Sequence, residues 1–456
     1  MLHGADGTLG AAMPSFAPAP EPVTFVPDPR AQLPSTAEVV VIGAGMLGAS
    51  AAYWLAQAGM RPLVIDANAP ATGASGRNAG LALAGLGGHF PRATRLVREA
   101  GGRSVLDYTT RSLDMLEALD AELPGGIEWD RFGSLDLALD EVEEAHVRRM
   151  TGLQANEGLG VSVVDGDELR SLAPALDVDQ VRVAKWTPGD AKLNPFRLVY
   201  GLLEATRRLG GTVVSGVRVD SLLARSGRFA GATTSHGEVS AGAVLLATNA
   251  WTPSLAPHLA ANLTPIREHV CVTEQLPSVV LGPGFETNQC NEYWRQMRTG
   301  EILIGGFAVA DDEMGIGSYS MAARPQVPPL LAELLARLHP SLADVRIVRC
   351  WAGLLDFASL EIPMAGPLPA EDGTPLPGAY VACGLTGHGH PYAPILGLLL
   401  AELISQGEAR TLPLAPFDPR RYVGVQHDPT WLDPFRGHVA NAVPSPAGSA
   451  RSRARG

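Results

Sequence analysis

The sequence predicts an α/β fold in which a Rossmann-like domain with a parallel sheet is interleaved with a second domain built on an antiparallel sheet. A short buried strand, a glycine turn and a helix follow one another within residues 39–67. Later strand-like segments alternate with amphipathic helical stretches. The chain has 456 residues, whereas a single core stops growing at roughly 250 to 300 residues, so we expect more than one domain.

The first element is a β-branched run from Glu38 to Ile42, typical of a strand buried in a parallel sheet. The run ends at Gly43, which permits a tight turn, and Gly45 allows the backbone to approach a pyrophosphate. Gly48 allows the next helix to pack closely on the strand. The pattern therefore predicts phosphates bound at a helix N-terminus.

The next elements complete this unit. The pattern predicts a helix through Ala49–Ala58 that stops at Gly59, then a strand from Pro62 to Ile65 that ends at Asp66. Asp66 can accept hydrogen bonds from a ribose. A glycine turn alone is a weak signal, but strand, helix, second strand and acid together predict a dinucleotide site without choosing between NAD and FAD.

Three further segments favour FAD. Glycines and small residues fill residues 71–80, ATGASGRNAG, directly after the ribose-binding strand. A hydrophobic strand over 242–251 ends in polar Thr248 and Asn249, and residues 383–390, CGLTGHGH, precede an apolar helix that starts near Pro391. A compact NAD site does not explain small-residue segments so far apart in the chain.

These motifs and their order resemble the D-amino-acid-oxidase-like superfamily of FAD oxidoreductases, which includes glycine oxidase, sarcosine oxidase and gamma-glutamylputrescine oxidase. The resemblance covers roughly residues 36 to 425. It implies that the SGRNAG loop lies against the flavin and that the TGHGH turn presents backbone N–H groups and a helix dipole to the pyrimidine ring. By the same resemblance the cofactor-binding residues are Gly43, Gly45, Met46, Leu47, Gly48, Asp66, Ala67, Ser75, Gly76, Arg77, Asn78, Ala79, Gly80, Leu81, Val219, Thr248, Asn249, Trp251, Gly353, Gly384, Thr386, Gly387, His388 and Gly389.

The sequence also predicts a division of the chain. We expect a disordered arm over 1–35 and a flexible tail over 426–456, both rich in small residues and proline. The FAD-binding domain is predicted from 36–90, 160–264 and 350–425, and the substrate domain from 91–159 and 265–349. The resemblance implies that one face of the substrate-domain sheet roofs the flavin.

Candidate catalytic residues lie on this roof and at the TGHGH turn. They are His388, Tyr293, Arg295, Asp356 and His269. Polar tips on Tyr293 and Arg295 would need partners in a pocket, whereas Trp294 is expected to be a packed core aromatic. The alternative for Asp356 is a hydrogen bond within a turn, and for His388 it is a structural hydrogen bond.

The chemistry that the cofactor implies is hydride transfer from the carbon next to a neutral amine nitrogen, which leaves an imine that water hydrolyses. In relatives that act on free amino acids, an arginine in a WAGLRP-like segment clamps the substrate carboxylate. Leu355 occupies that place here, and the segment is closer to gamma-glutamylputrescine oxidase. We therefore predict an amine substrate, with Asp356 as a candidate contact for a cationic group.

Two other positions concern the cofactor and the electron acceptor. Gly353 stands where some relatives attach FAD covalently through a cysteine, so noncovalent FAD is expected. Leu303 stands where those enzymes carry an oxygen-activating lysine, so the electron acceptor is either oxygen, as in an oxidase, or another molecule, as in a dehydrogenase. The alternatives are an enzyme of a small amino acid that uses Arg295 or Arg267 as its clamp, a flavoprotein subunit with mainly structural FAD, and an NAD-dependent dehydrogenase.

Composition limits the remaining possibilities. A net charge of -12 argues against nucleic acid as a partner, and the lack of a long apolar run argues against a membrane span. The four cysteines show no CxxC pair, which argues against a disulfide framework or a metal site. A small-molecule substrate and a cytoplasmic location are expected.

Overall fold

The computed structural model describes residues 33–288, 291–311 and 315–425. The predicted N-terminal arm, apart from its last three residues, and the predicted C-terminal tail lie outside these ranges. The helices are α1 Met46–Gln57, α2 Phe90–Glu99, α3 Leu106–Glu122, α4 Glu141–Asn156, α5 Gly166–Leu172, α6 Pro195–Arg208, α7 Val327–Leu338 and α8 Gly389–Gln406. None of these helices combines the length and the apolar character that crossing a bilayer requires.

The strands fall into two large sheets and one small one. They are β1 Thr36–Ile42, β2 Pro62–Asp66, β3 Leu81–Ala82, β4 Ser134–Ala138, β5 Ser162–Val164, β6 Val183–Thr187, β7 Ala191–Lys192, β8 Thr212–Ser215, β9 Val219–Arg225, β10 Arg228–Thr234, β11 Gly237–Leu246, β12 Leu263–Thr273, β13 Gly284–Thr287, β14 Glu292–Gln296, β15 Ile302–Gly305, β16 Ile347–Ala358, β17 Met364–Pro369 and β18 Pro375–Cys383. Strands β3 and β7 form the small sheet.

The first sheet has the order β17-β18-β11-β1-β2-β8, with β10 and β9 added beside β11. Strands β18, β11, β1, β2 and β8 pair in parallel. The centre of this sheet is fully buried, since Val39, Val40 and Val41 are inaccessible to solvent. Helices α1, α3, α6 and α8 contribute to the core on one face. This arrangement confirms the predicted Rossmann-like part of the fold.

The second sheet has the order β16-β12-β15-β14-β13-β4-β6-β5. Neighbours in it pair antiparallel except for β13 and β4, which run parallel. One face packs on α7 through a core that includes Trp294, Phe285 and Leu331. Trp294 stacks on Phe285, and its Nε1 donates to Nε2 of His339 at 2.9 Å, as expected of a core aromatic.

The two large sheets are interleaved in sequence, as predicted, but their strands come from segments that differ from the predicted division. Strands β5, β6 and most of β16 were assigned to the FAD-binding domain, yet all three pair within the second sheet. The hydrophobic pattern of a strand reports its buried faces and does not identify its partner strand. The domain boundaries themselves stay a prediction.

Candidate functional site

A cavity of about 760 Å³ opens where the parallel strands β1, β2 and β11 end. In parallel α/β sheets, ligands bind beyond the carboxyl ends of the strands. The predicted cofactor residues that line this cavity are Gly43, Gly45, Met46, Leu47, Asp66, Ala67, Ser75, Arg77, Asn78, Val219, Thr248, Asn249, Trp251, Gly387 and Gly389. Residues from 43 to 389 thus converge on one site.

The glycine turn after β1 is built by close backbone packing. A Cβ on Gly43, whose φ is +105°, would lie 2.4 Å from the carbonyl oxygen of Ala247, and a Cβ on Gly48 would lie 1.9 Å from that of Gly43. Helix α1 then begins after Gly45 with no side-chain cap and no acidic residue in its first turn. The positive end of the helix therefore faces the cavity, as an anionic ligand requires.

Asp66 lies at the end of β2, where the ribose contact was predicted. One carboxylate oxygen accepts the N–H of Ala44 at 2.7 Å, and the other accepts the N–H of Asn68 at 2.8 Å. Burial raises the pKa of Asp66, and these two N–H groups oppose the rise. Each oxygen retains a further lone pair, so the carboxylate can still accept hydrogen bonds from ribose hydroxyls.

The SGRNAG loop joins the glycine turn to the second sheet. The Ser75 hydroxyl accepts the N–H of Met46 at 2.8 Å, at the start of α1. Arg77 donates to the carbonyl oxygens of Thr72 and Ala352, and the Trp351 Nε1 donates to the Arg77 carbonyl at 2.9 Å. The loop therefore spans both sheets at the place where the flavin is expected.

Other predicted cofactor residues support the cavity without lining it. They are Gly48, Gly76, Ala79, Gly80, Leu81, Gly353, Gly384, Thr386 and His388. A Cβ on Gly353 would lie 3.1 Å from the Arg77 Cβ, and one on Gly80 would lie 2.2 Å from the Leu193 carbonyl oxygen. These glycines are needed for close packing. The sequence pattern does not distinguish a glycine required for packing from one that contacts a ligand.

Asp356 holds the TGHGH turn in place. One carboxylate oxygen accepts the N–H of Gly384 at 2.5 Å, and the other accepts that of Leu385 at 3.1 Å. Burial raises the pKa of Asp356 to about 7, while these N–H groups oppose the rise. Asp356 lines the cavity. Its hydrogen bonds, however, are to a turn, which was the alternative to a substrate contact.

The two histidines of this turn differ. Nδ1 of His388 donates to the Thr386 carbonyl at 2.7 Å, and burial, reinforced by His89, lowers its pKa to about 3. His388 is therefore neutral and bound to the turn, which matches the structural hydrogen bond given as the alternative for this residue. His390, 5% exposed, lines the cavity, and its Nε2 has no partner among the described residues. His390 was not among the predicted catalytic or cofactor-binding residues.

The roof is one face of the second sheet. Side chains of paired residues lie on the same face, and successive residues alternate. Val270 pairs with Trp351 and with Gly305, and Gly305 pairs with Tyr293, so these residues form one row. The row packs with Ala79 of the SGRNAG loop. This face therefore lies toward the expected flavin position.

Tyr293 and Arg295 lie on the roof face with different surroundings. The Tyr293 ring crosses Gly305, where a Cβ would lie 2.5 Å from the phenol oxygen. Arg295 is buried, and its guanidinium donates to the carbonyl oxygens of Ala79 and Leu193. Burial lowers the pKa of Arg295 to about 10. Arg295 thus links two loops through backbone contacts, while Tyr293 remains partly exposed.

His269 does not belong to the roof face. It alternates with Val270 along β12 and is buried on the opposite side, where its Nε2 accepts the Arg324 N–H at 3.2 Å. The prediction of His269 as a roof residue was wrong because successive residues of β12 face opposite sides of the sheet, so His269 and the roof residue Val270 lie on different faces. The same alternation identifies Glu268, which sequence reasoning missed, as a roof residue.

The parallel sheet, the glycine turn, the start of α1 at the cavity and the acid at the end of β2 together define a dinucleotide-binding protein. The family described as FAD dependent oxidoreductase matches residues 38–403. The chain therefore belongs to this family, and the predicted FAD cofactor and redox activity are confirmed. The individual site residues stay predictions.

Several known proteins are similar along most of the chain. The hydrogen cyanide synthase subunit HcnC of Pseudomonas protegens is 27% identical over 418 residues, covering 84% of this chain and 96% of that protein. Rat mitochondrial dimethylglycine dehydrogenase is 26% identical, covering 85% of this chain but 45% of that protein. Glycine oxidase from Geobacillus kaustophilus has the same fold, with a TM-score of 0.74 at 22% identity over 86% of this chain and all of that one.

The residues present fit FAD. The glycine turn leaves space that a Cβ would fill, the start of α1 favours a pyrophosphate, and the unpartnered Nε2 of His390 lines the other part of the cavity. The volume of about 760 Å³ is within the range of ligand sites. We expect the turn after β1 to hold the pyrophosphate, and the SGRNAG and TGHGH segments to hold the flavin.

Proposed function

We propose that this FAD-dependent oxidoreductase oxidises a C–N bond of an amine. The chemistry that bound FAD supplies is acceptance of a hydride from the carbon next to nitrogen, which leaves an imine that water hydrolyses. The protein has to orient that carbon over the ring, exclude water and favour the neutral amine. Its roof and cavity walls perform these tasks.

The observation that supports an amine most strongly is Leu355. This side chain lines the cavity, and its Cδ1 lies 3.7 Å from the position of a Cβ on Gly387, so it faces the TGHGH turn. An aliphatic side chain cannot pair with a carboxylate, whereas it packs well on an alkyl chain. The wall therefore favours the carbon skeleton of an amine over the carboxylate of an α-amino acid.

The two arginines offered as other carboxylate clamps already have partners. The Arg267 Nε donates to Asp311 at 2.5 Å and its Nη1 donates to the Ser320 carbonyl at 3.1 Å, and the side chain is 1% exposed. Arg295 donates to the backbone of the loops beneath the roof. Recruiting either one to a substrate would break buried hydrogen bonds, at a cost of about 1–3 kcal/mol.

The second candidate function is oxidation of a small amino acid. It is favoured by the relatives, since one is a dimethylglycine dehydrogenase and the same fold occurs in a glycine oxidase. In that case the carboxylate would have to bind away from Leu355. HcnC is named as a subunit of hydrogen cyanide synthase, which supports testing whether the chain acts alone.

The test is anaerobic bleaching of the flavin in the purified FAD-loaded protein. We expect primary alkylamines to bleach the 450 nm band faster than glycine, sarcosine or D-alanine at equal concentration. Efficient reduction by these amino acids with no reduction by amines would overturn the proposal. Bound flavin that neither class reduces would indicate a subunit that needs partners.

A single substitution sharpens this test. Leu355→Arg places a guanidinium on the cavity wall and should raise the rate of glycine-driven bleaching at least tenfold while slowing alkylamine oxidation. Leu355→Met conserves volume and is the matched control, for which we expect alkylamine oxidation near the wild-type rate. Flavin content measured for each variant shows whether the cavity is intact. A Leu355→Arg protein that keeps the wild-type preference would contradict the role given to Leu355.

A further inference from the structure

Glu268 lies on the roof face. Its row of paired residues is adjacent to the row that contains Val270 and Tyr293. Glu268 pairs with Gly353 across β12 and β16, between the pairs Ile266–Leu355 and Val270–Trp351. Leu355 lines the cavity and Trp351 donates to the SGRNAG loop, so Glu268 lies between two residues that mark the roof. Alternation along β12 thus places the Glu268 side chain on the roof face, beside Leu355 of the cavity wall but outside the residues that line the cavity.

The carboxylate of Glu268 is bound by backbone N–H groups and by no cationic side chain in the described part of the chain. The residue is partly exposed although its neighbours Arg267 and His269 are buried. Its carboxylate accepts the N–H of His269 at 2.9 Å and that of Gly306. Burial raises the pKa of Glu268 to about 8, and the charge of a second carboxylate, Glu292, adds to the rise. An anion in such a place is costly until a cation arrives.

The arginines that approach this face are bound elsewhere. Arg77 lies over Gly353 but donates to the Thr72 and Ala352 carbonyls, and Arg295 donates to Ala79 and Leu193. Neither arginine therefore pairs with the Glu268 carboxylate, and a bound ammonium group would provide the positive charge. Its N–H donors match the acceptor oxygens of the carboxylate.

Tyr293 completes the site. Its phenol crosses Gly305, beside Val270 of β12. Burial raises the pKa of Tyr293 well above its ordinary value, and the charge of Glu268 adds to this effect. The phenol therefore stays protonated and can donate a hydrogen bond. One acceptor and one donor together can orient a nitrogen-bearing group beneath the roof.

We propose that Glu268 is the residue that binds the cationic nitrogen of the substrate and then accepts the proton whose loss gives the neutral amine needed for hydride transfer, with Tyr293 positioned beside it. This inference rests on the proposed function, since it assumes an amine as the substrate. It makes Glu268 a specificity-determining residue that distinguishes an alkylammonium from a neutral molecule of the same shape. The anionic carboxylate, rather than the shape of the pocket, would supply most of that discrimination.

The experiment measures binding without turnover. The probes are tert-butylammonium, which has no hydrogen on the carbon next to nitrogen, and tert-butanol, its neutral counterpart of similar shape. Binding to the FAD-loaded protein is followed by the perturbation of the flavin absorbance. We expect Glu268→Gln to weaken tert-butylammonium binding at least tenfold while changing tert-butanol binding less than twofold.

Glu292→Gln is the matched control. Glu292 is a buried acid of the same sheet whose position in β14, next to Tyr293, places its side chain on the opposite face. We expect it to change tert-butylammonium binding less than threefold. Equal weakening by both variants would indicate a general effect of charge and would overturn the role of Glu268.

Two failures can be told apart. If amines bleach the wild-type flavin and Glu268→Gln binds tert-butylammonium as tightly as wild type, the inference is wrong and the proposed function stands. If amines do not bleach the wild-type flavin and tert-butylammonium does not bind to the wild-type protein, the proposed function and the inference are both wrong. Flavin content near wild type in Glu268→Gln shows that the variant has folded.

Discussion

The two ends of the cavity are built in different ways. At the phosphate end, the backbone of residues 43–48 forms the site, and Gly43, Gly45 and Gly48 leave the space that it needs. At the roof, Leu355 of β16 lines the cavity, and strand pairing places Glu268 of β12 and Tyr293 of β14 on the same face of the sheet beside it. The phosphate end is thus encoded within six consecutive residues, whereas the roof depends on contacts between distant segments.

The two ends also differ in electrostatics. Helices α1 and α8 begin at the cavity, and neither has an acidic residue in its first turn, so both direct a positive helix end toward the cofactor. The roof instead carries the Glu268 carboxylate and the Tyr293 phenol. The helix ends therefore favour an anionic cofactor in the cavity, whereas the groups proposed to bind a cationic substrate lie on the roof face beside it.

Gly48→Ala should have the largest effect. The new Cβ would lie 1.9 Å from the Gly43 carbonyl oxygen, so the start of α1 has to move away from the pyrophosphate position. Such overpacking costs about 1–3 kcal/mol or more, which is about ten- to hundredfold or more in FAD affinity. The measurement is the ratio of bound flavin to protein during dialysis.

Gly152→Ala is the control for this change. Gly152 lies inside α4, and a Cβ there would meet nothing within 4 Å. Alanine should stabilise that helix by about 0.5–1 kcal/mol and leave flavin content unchanged. Full flavin retention in Gly48→Ala would show that the phosphate end does not depend on this contact.

Asp356→Asn should have a smaller effect, because it alters the connection between the roof sheet and the TGHGH turn. An amide can offer an oxygen to only one of the two N–H groups, those of Gly384 and Leu385, that the carboxylate accepts. Leaving one buried donor without a partner costs about 1–3 kcal/mol, so we expect FAD affinity to fall about tenfold. Flavin fluorescence during titration with FAD measures this change.

Asp372→Asn makes the same chemical change in an exposed turn, where Asp372 accepts the Thr374 N–H at 2.9 Å. We expect FAD affinity and thermal stability to stay at the wild-type level, within about 0.5 kcal/mol. A similar loss in both variants would mean that Asp356 has no special role at the cofactor turn.

The smallest expected effect is on stability against pH. Burial raises the pKa of Glu268 to about 8 and that of Glu292 to about 7. A carboxyl in the unfolded chain has a pKa of about 4. The folded protein therefore holds protons that the unfolded chain has released, and the stabilisation associated with them is lost as pH rises through 7 to 8.

Thermal unfolding of the FAD-loaded protein between about pH 6.5 and pH 8.5 tests this expectation. The free energy of unfolding should fall across this range, and it should fall less in Glu268→Gln because one of the titrating groups is removed. The buried histidines His388, His390 and His339 have lowered pKa values and are neutral throughout this range, so they do not contribute. A stability that rises with pH would contradict the raised pKa values.

Much of the fold could be predicted because its signals are local. The predicted strand from Glu38 to Ile42 covers the exposed Glu38 and all four buried residues of β1, and the predicted strand from Pro62 to Ile65 is β2 without its last residue. The predicted helix Ala49–Ala58 matches α1, which begins three residues earlier at Met46. Glycine begins the turn and ends the helix because of its backbone freedom, and this signal can be read without a partner segment.

The roof could be predicted only in part. Tyr293 and Arg295 share a face because they are two residues apart, but Arg295 is occupied by the carbonyl oxygens of Ala79 and Leu193. His269 was placed on the wrong face and Glu268 was overlooked. Both errors arise because residues alternate between the two faces of β12, and only the packing of the sheet shows which of these faces lies toward the cavity.

By itself the sequence determined the parallel-sheet domain, the dinucleotide turn and the identity of the cofactor, because each depends on short runs of glycine, small and apolar residues. Only the tertiary structure decided that Asp356 holds a turn, that His388 donates to the Thr386 carbonyl and that Glu268 lies on the roof. Backbone conformation is a property of neighbouring residues, whereas the partners of a buried side chain are set by the pairing of strands far apart in the chain.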